Sequence, residues 1–297
     1  METLRQTASL DQKRAALKQR LSGFEHLLVA FSGGVDSAYL AWEAQQALGT
    51  RMLAVIADSP SLPRAELAAA TQFANEHGIA LRVMATSELD RPEYARNDAS
   101  RCYFCKDELF AAMETIRQEF GDSAVAFGMN ADEREDLHRP GQQAARMHNV
   151  MAPLADAELT KSDIRSLAQR AGLSVWDKPA SACLASRIEP GRPVTAEALR
   201  QVEEAEAHLH TLGFRQVRVR HHGELARIEI DRSELRDALS LSQLDQISSG
   251  IRSLGFRFVT LDCEGYRSGS MNDLHKADNI FVPLASLTEA PVLRDES

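Results

Sequence analysis

The sequence lacks long apolar runs, a signal peptide and a rich supply of cysteine. No stretch of the 297-residue chain approaches the roughly 18 apolar residues of a membrane span, and the N-terminal residues lack the apolar segment of a secretory leader. We therefore expect a cytoplasmic protein with no membrane partner. Four cysteines in a chain of this size do not make a disulfide scaffold, so a functional cysteine is expected to be catalytic, redox-active or metal-binding.

The sequence also lacks an excess of positive charge. It has 34 basic and 43 acidic residues, a formal net charge of −9. Binding to a nucleic-acid backbone requires clustered positive charge, so we predict no nucleic-acid partner. A small anionic ligand is not excluded, because a few arginines can hold phosphates on an acidic protein.

The apolar and charged fractions, 44% and 26%, are those of a globular chain, and the pattern of the first part is regular. Short apolar runs alternate with amphipathic stretches that end at glycine. This alternation predicts an α/β fold with a doubly wound parallel sheet. The predicted strands are 26–31, 52–57, 79–85 and 124–128, and the predicted helices are 10–21, 38–48, 64–77 and 107–120.

The pattern changes after Pro179, where a proline-containing segment predicts a linker. We predict two domains, 1–180 and 181–297, the second a smaller α+β domain for substrate binding and oligomerisation. It is expected to hold a helix over 195–212, two strands around Gly223, a helix over 242–254 and a further strand. The stretch L-G-F-R occurs twice, at 212–215 and 254–257. Two explanations stay open: a glycine helix stop before a buried aromatic residue that occurs twice by chance, or an ancient duplication.

The first predicted strand is followed directly by S-G-G-V-D-S at 32–37. Adjacent glycines let successive backbone N–H groups point inward, and such a nest at a helix N-terminus binds phosphate oxygens. Asp36 would repel phosphate unless a divalent cation lies between them, which predicts Mg²⁺. The lysine of the G-x-x-x-x-G-K-[ST] loop is absent. The predicted phosphate-binding residues are Ser32, Gly33, Gly34, Asp36 and Ser37.

This loop resembles the S-G-G-x-D-S loop of the ATP pyrophosphatase superfamily, rather than an ordinary glycine-rich turn. The resemblance implies that ATP is split between its α and β phosphates and that an oxygen of the substrate is adenylated. Further matches are Ala57 at the end of the second strand, and Gly128, Asn130 and Asp132 in G-M-N-A-D, which resembles the superfamily's G-T-N-A-D. We expect Ala57, Gly128 and Asn130 at the nucleotide and Asp132 at Mg²⁺.

Two further motifs contain cysteine. R-C-Y-F-C-K holds Cys102 and Cys105, and K-P-A-S-A-C-L-A-S-R holds Cys183, whereas Cys263 is interpreted as an inert residue at a strand end. A C-x-x-C pair alone is compatible with redox, zinc or cluster chemistry.

Taken together, the phosphate loop, both cysteine motifs, V-R-V-R-H-H-G-E-L-A-R-I-E and G-Y-R-S-G-S-M-N resemble the LarE family over about residues 20 to 275. These are ATP-dependent sulfur transferases that help to build a nickel-pincer nucleotide cofactor. The resemblance implies adenylation of a carboxylate of pyridinium-3,5-biscarboxylic acid mononucleotide, a small-molecule substrate, and its conversion to a thiocarboxylate. It also implies a homo-oligomer.

The family has two sources of sulfur. In one version a cysteine matching Cys183 gives up its own sulfur and becomes dehydroalanine. In the other, three cysteines hold a [4Fe–4S] cluster whose fourth iron carries a sulfide. This sequence has a cysteine at all three positions, Cys102, Cys105 and Cys183, so we favour the cluster and keep desulfuration of Cys183 as the alternative.

The resemblance also implies a substrate site. Arg218 and Arg220 lie on one face of a predicted strand, where they either bind the substrate phosphate or form a solvated face. Ser186 and Arg187 match family residues beside the sulfur donor. Glu206 and Glu229 match metal-binding glutamates loosely, which makes them further candidate Mg²⁺ ligands.

Three other functions stay open at this point. A tRNA-thiolating enzyme would share the loop and the cysteines, but the net charge of −9 speaks against it. An amidating synthetase of the NAD or GMP synthetase type would share the loop and needs no cysteine trio. A nucleotide-sensing module would bind ATP without turnover.

Overall fold

The structure, a computed structural model, describes residues 8–121, 123–134, 140–179 and 182–267. Residues 180 and 181 of the Cys183 motif and 268–272 of the G-Y-R-S-G-S-M-N motif lie outside the described residues. The helices are α1 (Leu10–Ser22), α2 (Val35–Leu48), α3 (Arg64–Glu76), α4 (Pro92–Ala95), α5 (Arg101–Glu119), α6 (Pro140–Met147), α7 (Pro153–Asp156), α8 (Lys161–Arg170), α9 (Ala196–Thr211), α10 (Leu235–Ala238) and α11 (Leu241–Ser253). The strands are β1 (Leu27–Ala30), β2 (Met52–Asp58), β3 (Leu81–Ala85), β4 (Ala124–Phe127), β5 (Val217–His222), β6 (Leu225–Ile230) and β7 (Phe258–Leu261).

The chain packs into two compact units. The first comprises Met1–Ala185 and Pro193–Glu203, and the second comprises Ser186–Arg192 and Glu204–Ser297. The functions assigned to the predicted domains 1–180 and 181–297 stay predictions. No helix of the described chain is long and apolar enough to cross a membrane.

The first unit contains a four-stranded parallel sheet in the order β3-β2-β1-β4. Leu27 and Val29 of β1 belong to a core that includes α1, α2 and α8, whereas Leu28 and Ala30 belong to a second core with α5 and α6. Because alternate residues of a strand point to opposite faces, helices cover both faces of the sheet. The predicted doubly wound parallel sheet is confirmed.

The order of the strands positions the nucleotide loop. From β1 the sheet continues to β2 on one side and to β4 on the other, so the chain changes direction at β1. In open α/β sheets, ligands bind outside the carboxyl ends of the strands at such a switch point. The S-G-G-V-D-S loop follows the carboxyl end of β1 directly.

The second unit contains a three-stranded sheet in the order β5-β6-β7, with β5 antiparallel and β7 parallel to β6. Both L-G-F-R stretches end a helix here: Gly213 and Gly255 have φ of 98° and 106°, and Phe214 and Phe256 are buried in one core. The small α+β character is confirmed, and both stretches act as helix stops before a buried aromatic residue. Whether they share an origin by duplication stays a prediction.

Several helical segments differ from the sequence prediction, and five helices of the described chain were not predicted: α4, α6, α7, α8 and α10. Helix α5 begins at Arg101, not at 107, because Asp98 accepts hydrogen bonds from Ser100 and turns the chain into the helix there. Helix α8 was not predicted, although Thr160 and Asp163 form a capping box at its start.

Candidate active site

The phosphate loop forms a tight turn at the start of α2. The Ser37 hydroxyl accepts a hydrogen bond from the Ser32 amide at 3.1 Å and lies 3.0 Å from the Ser32 hydroxyl. Gly34 is the N-cap of α2 and supplies no side chain to its first amides. The N–H groups at the start of α2 are therefore left without a side-chain cap, as a phosphate-binding helix end requires.

Two glycines allow other segments to approach this loop closely. A Cβ on Gly33, which has φ of 71°, would lie 2.7 Å from the Cβ of Ala70 on α3. A Cβ on Gly128, after β4, would lie 2.7 Å from the Ser37 nitrogen. Because neither glycine has a side chain, both leave room for the close packing of the loop. Gly128, a predicted nucleotide-binding residue, therefore lies against the loop backbone.

The other predicted nucleotide residues lie at the carboxyl ends of neighbouring strands. Ala57 is the penultimate residue of β2. Asn130, buried after β4, accepts a hydrogen bond from the Glu133 amide at 3.2 Å and shapes the turn that carries Asp132. Their roles at the nucleotide stay predictions.

Asp36 and Asp132 meet at one residue, Lys161. The Lys161 ammonium lies 2.6 Å from Oδ2 of Asp36, and the Lys161 amide donates to Oδ2 of Asp132 at 2.8 Å. The other oxygen of Asp36, Oδ1, is buried without a hydrogen-bond partner. Two carboxylates on one lysine, one of them with an unsatisfied oxygen, fit the hard oxygen-ligand preference of Mg²⁺.

The three candidate cysteines belong to the first unit. Cys102 and Cys105 lie three residues apart in the first turns of α5, so they share a face of that helix. Cys183 is held by its neighbours: the Leu184 amide donates to the Ser61 carbonyl at 2.8 Å, and the Arg101 guanidinium donates to the Ala185 carbonyl at 2.9 Å.

The Cys102 and Cys183 thiols both act electrostatically on Cys105. Burial first, and the nearby Cys183 next, raise the pKa of the Cys105 thiol to about 12, with a smaller contribution from Cys102. Burial also raises the pKa of the Tyr94 hydroxyl, with Cys183 as the next cause; this hydroxyl is hydrogen-bonded to Ser61.

The three thiols suit an iron–sulfur cluster better than a single metal ion. Within the described ranges, no three His, Cys, Asp or Glu side chains are arranged to hold a metal ion. A [4Fe–4S] cluster would take each of the three thiolates on a different iron, so it would not need them to converge on one ion. Three neighbouring thiols, all from cysteine, fit a cluster in ligand type.

The predicted substrate residues gather in the second unit around paired charges. Arg187 donates to both carboxylate oxygens of Glu206, at 3.1 and 3.3 Å, and to the Ser186 hydroxyl. Arg220 donates to Glu229 at 2.7 Å. In the structure Glu206 and Glu229 are therefore paired with arginines. These ion pairs compete with Mg²⁺ for the carboxylates, so the predicted coordination of Mg²⁺ stays a prediction that the pairing speaks against.

Arg218 differs from its neighbours. It donates to the Val217 carbonyl at 2.7 Å and stacks over the Tyr266 ring at 5.2 Å, and no carboxylate within the described part of the chain forms an ion pair with it. Burial lowers the pKa of Arg218, and the nearby Arg187 lowers it further. Glu206 is near enough to oppose this shift in pKa, but it is bonded to Arg187. A half-buried cation that forms no ion pair with the described residues is suited to an anionic ligand.

Known proteins resemble both the loop and the whole chain. The NAD synthase family matches residues 10–101. An uncharacterized protein of Synechocystis is 40% identical over 263 residues, which cover 89% of this chain and 98% of that protein. The pyridinium-3,5-bisthiocarboxylic acid mononucleotide synthase of Lactiplantibacillus plantarum is 36% identical over 267 residues, which cover 90% of this chain and 96% of the synthase. This chain belongs to the LarE family. A GMP synthase of Aeropyrum pernix is 27% identical over 203 residues, 61% of this chain and 38% of that enzyme.

The sequence prediction for this LarE-family chain missed two lysines at the phosphate loop. Lys161 contacts Asp36, and the Lys178 ammonium lies 3.2 Å from the Gly33 carbonyl. Both are distant from the loop in sequence, so a search for a lysine within the motif could not find them. The capping box at Thr160 could have located Lys161 at the start of a helix.

The close approach of Gly128 in this LarE-family chain gives a first prediction. Gly128→Ala should lower ATP affinity by about tenfold or more and cost about 1–3 kcal/mol of stability, because the new methyl displaces the Ser37 amide. Isothermal titration calorimetry with ATP measures the first effect. Gly23→Ala is the control, since Gly23 has an ordinary φ of −78° and lies at the end of α1. Equal ATP affinity of Gly128→Ala and wild type would contradict this role of Gly128.

The raised pKa of Cys105 gives a second prediction. In the metal-free protein, Cys105 should remain a thiol from pH 6 to 9, since ionisation begins only as the pH approaches about 12. Iodoacetamide should therefore modify the exposed Cys102 faster than Cys105 across this range. Peptide mass spectrometry after timed quenching measures both rates, and faster labelling of Cys105 would contradict the assignment.

Proposed function

We propose that this protein is an ATP-dependent sulfur transferase that converts a carboxylate of pyridinium-3,5-biscarboxylic acid mononucleotide into a thiocarboxylate. One observation carries the proposal: an S-G-G-V-D-S loop and a cysteine trio lie in the same unit. The loop follows β1, and the Cys183 segment is hydrogen-bonded to Ser61, three residues past the end of β2. The 36% identity to the bisthiocarboxylic acid mononucleotide synthase supports this substrate.

The first step activates the substrate. A carboxylate is a poor electrophile, so an oxygen of the carboxylate attacks the α phosphorus of ATP, the bond to the bridging oxygen breaks, and pyrophosphate leaves. The loop amides would hold the β and γ phosphates. Asp36 and Asp132 would hold Mg²⁺, which supplies neutralisation of the phosphate charge when it is bound. The product of this step is an acyl adenylate.

The second step delivers sulfur. A sulfur nucleophile attacks the acyl carbon, AMP leaves with the bridging oxygen, and a thiocarboxylate remains. Cys102, Cys105 and Cys183 would hold a [4Fe–4S] cluster, which supplies a sulfide at its open iron when bound. In the alternative, the Cys183 thiolate attacks to form a thioester, loss of its α proton breaks the Cβ–S bond, and dehydroalanine remains at residue 183.

Nucleotide products and thiocarboxylate test the function together. With the dicarboxylate nucleotide and a sulfide source, we expect AMP and pyrophosphate in amounts that match the thiocarboxylate formed. An amidating synthetase would instead form an amide with ammonia, and a tRNA-thiolating enzyme would retain tRNA on the protein. A nucleotide sensor would accumulate no AMP with any acceptor.

The sulfur source is tested separately. After anaerobic reconstitution, we expect about four irons per chain and broad visible absorption, and no mass change at Cys183 after turnover. Protein without iron that loses the mass of one H₂S at Cys183 would instead establish desulfuration. Either result leaves the adenylation step unaffected.

The unpaired charge of Arg218 predicts how the substrate phosphate is bound. Arg218→Met should weaken binding of the dicarboxylate nucleotide by about tenfold and cost only about 1 kcal/mol of stability, because the described contacts it removes are one hydrogen bond to Val217 and the stacking on Tyr266. Arg220→Met is the contrast: it removes a partner of Glu229, which is fully buried, and should cost about 3 kcal/mol of stability. Calorimetry and thermal melts measure both. Unchanged nucleotide affinity in Arg218→Met would contradict the assignment.

A further inference from the structure

The Lys178 side chain lies at the phosphate loop without a role in the reaction described above. Its ammonium is 2.6 Å from Oε2 of Glu66 on α3 and 3.2 Å from the Gly33 carbonyl. The side chain is 21% exposed. Lys178 therefore places a half-buried positive charge at the backbone of the loop that is expected to hold the β and γ phosphates.

The loop itself lacks such a charge. S-G-G-V-D-S contains no basic residue, and Asp36 adds a negative charge, whereas the triphosphate brings three to four. The Lys161 ammonium is engaged by Asp36. Lys178 is paired as closely, with Glu66 at 2.6 Å, but Glu66 is not a proposed Mg²⁺ ligand as Asp36 is. Lys178 can therefore exchange its carboxylate for a phosphate while it contacts the loop backbone.

Neighbouring groups fix the position of this lysine. The Arg165 guanidinium donates to the carbonyls of Trp176 and Lys178, at 3.2 and 2.9 Å, and so anchors the main chain on which the lysine lies. Glu66 and Ala70 lie one turn apart on α3, and Ala70 is the residue that a Cβ on Gly33 would contact. The same helix thus packs on the loop and holds the ammonium beside it.

We propose that Lys178 is a phosphate-binding residue, which exchanges the Glu66 carboxylate for the β and γ phosphates of ATP. The assignment rests on the proposed cleavage of ATP between its α and β phosphates. When the substrate carboxylate forms its bond to the α phosphorus, the electron pair of the broken bond moves to pyrophosphate. The Lys178 ammonium stabilises this charge without transferring a proton, and it returns to Glu66 when pyrophosphate leaves.

The proposal predicts a pattern of affinities. Lys178→Met should weaken binding of ATP and of pyrophosphate by tenfold or more, and it should leave AMP binding unchanged, because AMP lacks the β and γ phosphates. Lys178→Arg should retain part of the affinity. Glu66→Gln should bind pyrophosphate at least as tightly as wild type, since it removes the competing carboxylate.

Calorimetry on the full chain, with ATP, pyrophosphate and AMP in turn, tests this pattern. Lys13→Met is the matched control, because Lys13 resembles Lys178 in exposure, at 17%, and in its close pairing with a carboxylate. Its partner is Asp163 of α8, at 2.7 Å. Equal weakening of ATP and AMP in Lys178→Met, or no change in either, would overturn the proposal, as would weaker pyrophosphate binding in Glu66→Gln. These titrations contain no acceptor, so failure of wild type to make thiocarboxylate would contradict the proposed function alone.

Discussion

Cys183→Ser should abolish thiocarboxylate formation, by at least about 10³-fold, while the release of pyrophosphate from ATP and substrate continues. Cys183 either donates sulfur directly or completes the three cysteines that hold the donor, so both versions of the second step fail. The first step does not use a thiol. The variant should therefore form acyl adenylate, which water converts slowly to AMP and the original carboxylate.

The measurement is a comparison of pyrophosphate and thiocarboxylate in the same reaction. Cys263→Ser is the control, because Cys263 is an exposed cysteine after β7 in the second unit and has no assigned role. It should match wild type in both products. Thiocarboxylate formation by Cys183→Ser at more than a few per cent of the wild-type rate would remove Cys183 from the chemistry.

Asp36→Asn should reduce the rate of pyrophosphate release by about 10²- to 10³-fold, since a Mg²⁺ ion contributes several kcal/mol of charge stabilisation in phosphate chemistry. The substitution keeps the shape of the side chain and removes its charge. It also weakens the contact with Lys161. Raising the Mg²⁺ concentration should restore part of the rate.

Rates measured across a Mg²⁺ series test this directly. Asp11→Asn is a suitable control, because Asp11 is an exposed residue of α1 that pairs loosely with Arg170 at 3.4 Å. A rate for Asp36→Asn equal to that of wild type, or a reduction that no Mg²⁺ concentration changes, would argue against Asp36 as a metal ligand.

Local sequence patterns predicted the first unit well. Continuous apolar runs such as 52–57 indicated strands buried on both faces, and the structure places them in a parallel sheet. The start of α5 was predicted six residues late, at 107 rather than Arg101, because R-C-Y-F-C has no amphipathic period and the turn depends on the side chain of Asp98. Such local hydrogen bonds decide where a helix begins, and hydrophobic periodicity does not report them.

The site was predictable where one segment carries the signal. S-G-G-V-D-S is contiguous, so the sequence alone identifies it as a phosphate loop. Lys161 and Lys178 contact the loop only because distant segments pack against it. The arginines illustrate a second limit. Alternation placed Arg218 and Arg220 on one face of a strand, but only the structure distinguishes them: Arg220 is paired with the buried Glu229, and Arg218 stacks on Tyr266.

The central claim is that a carboxylate oxygen of the substrate attacks the α phosphorus of ATP. Substrate labelled with ¹⁸O in its carboxylates tests it most directly, because that oxygen becomes the bridge of the acyl adenylate and leaves with AMP. We predict one ¹⁸O in the phosphate of AMP for each thiocarboxylate formed. Unlabelled AMP, or ADP with labelled orthophosphate, would contradict the account.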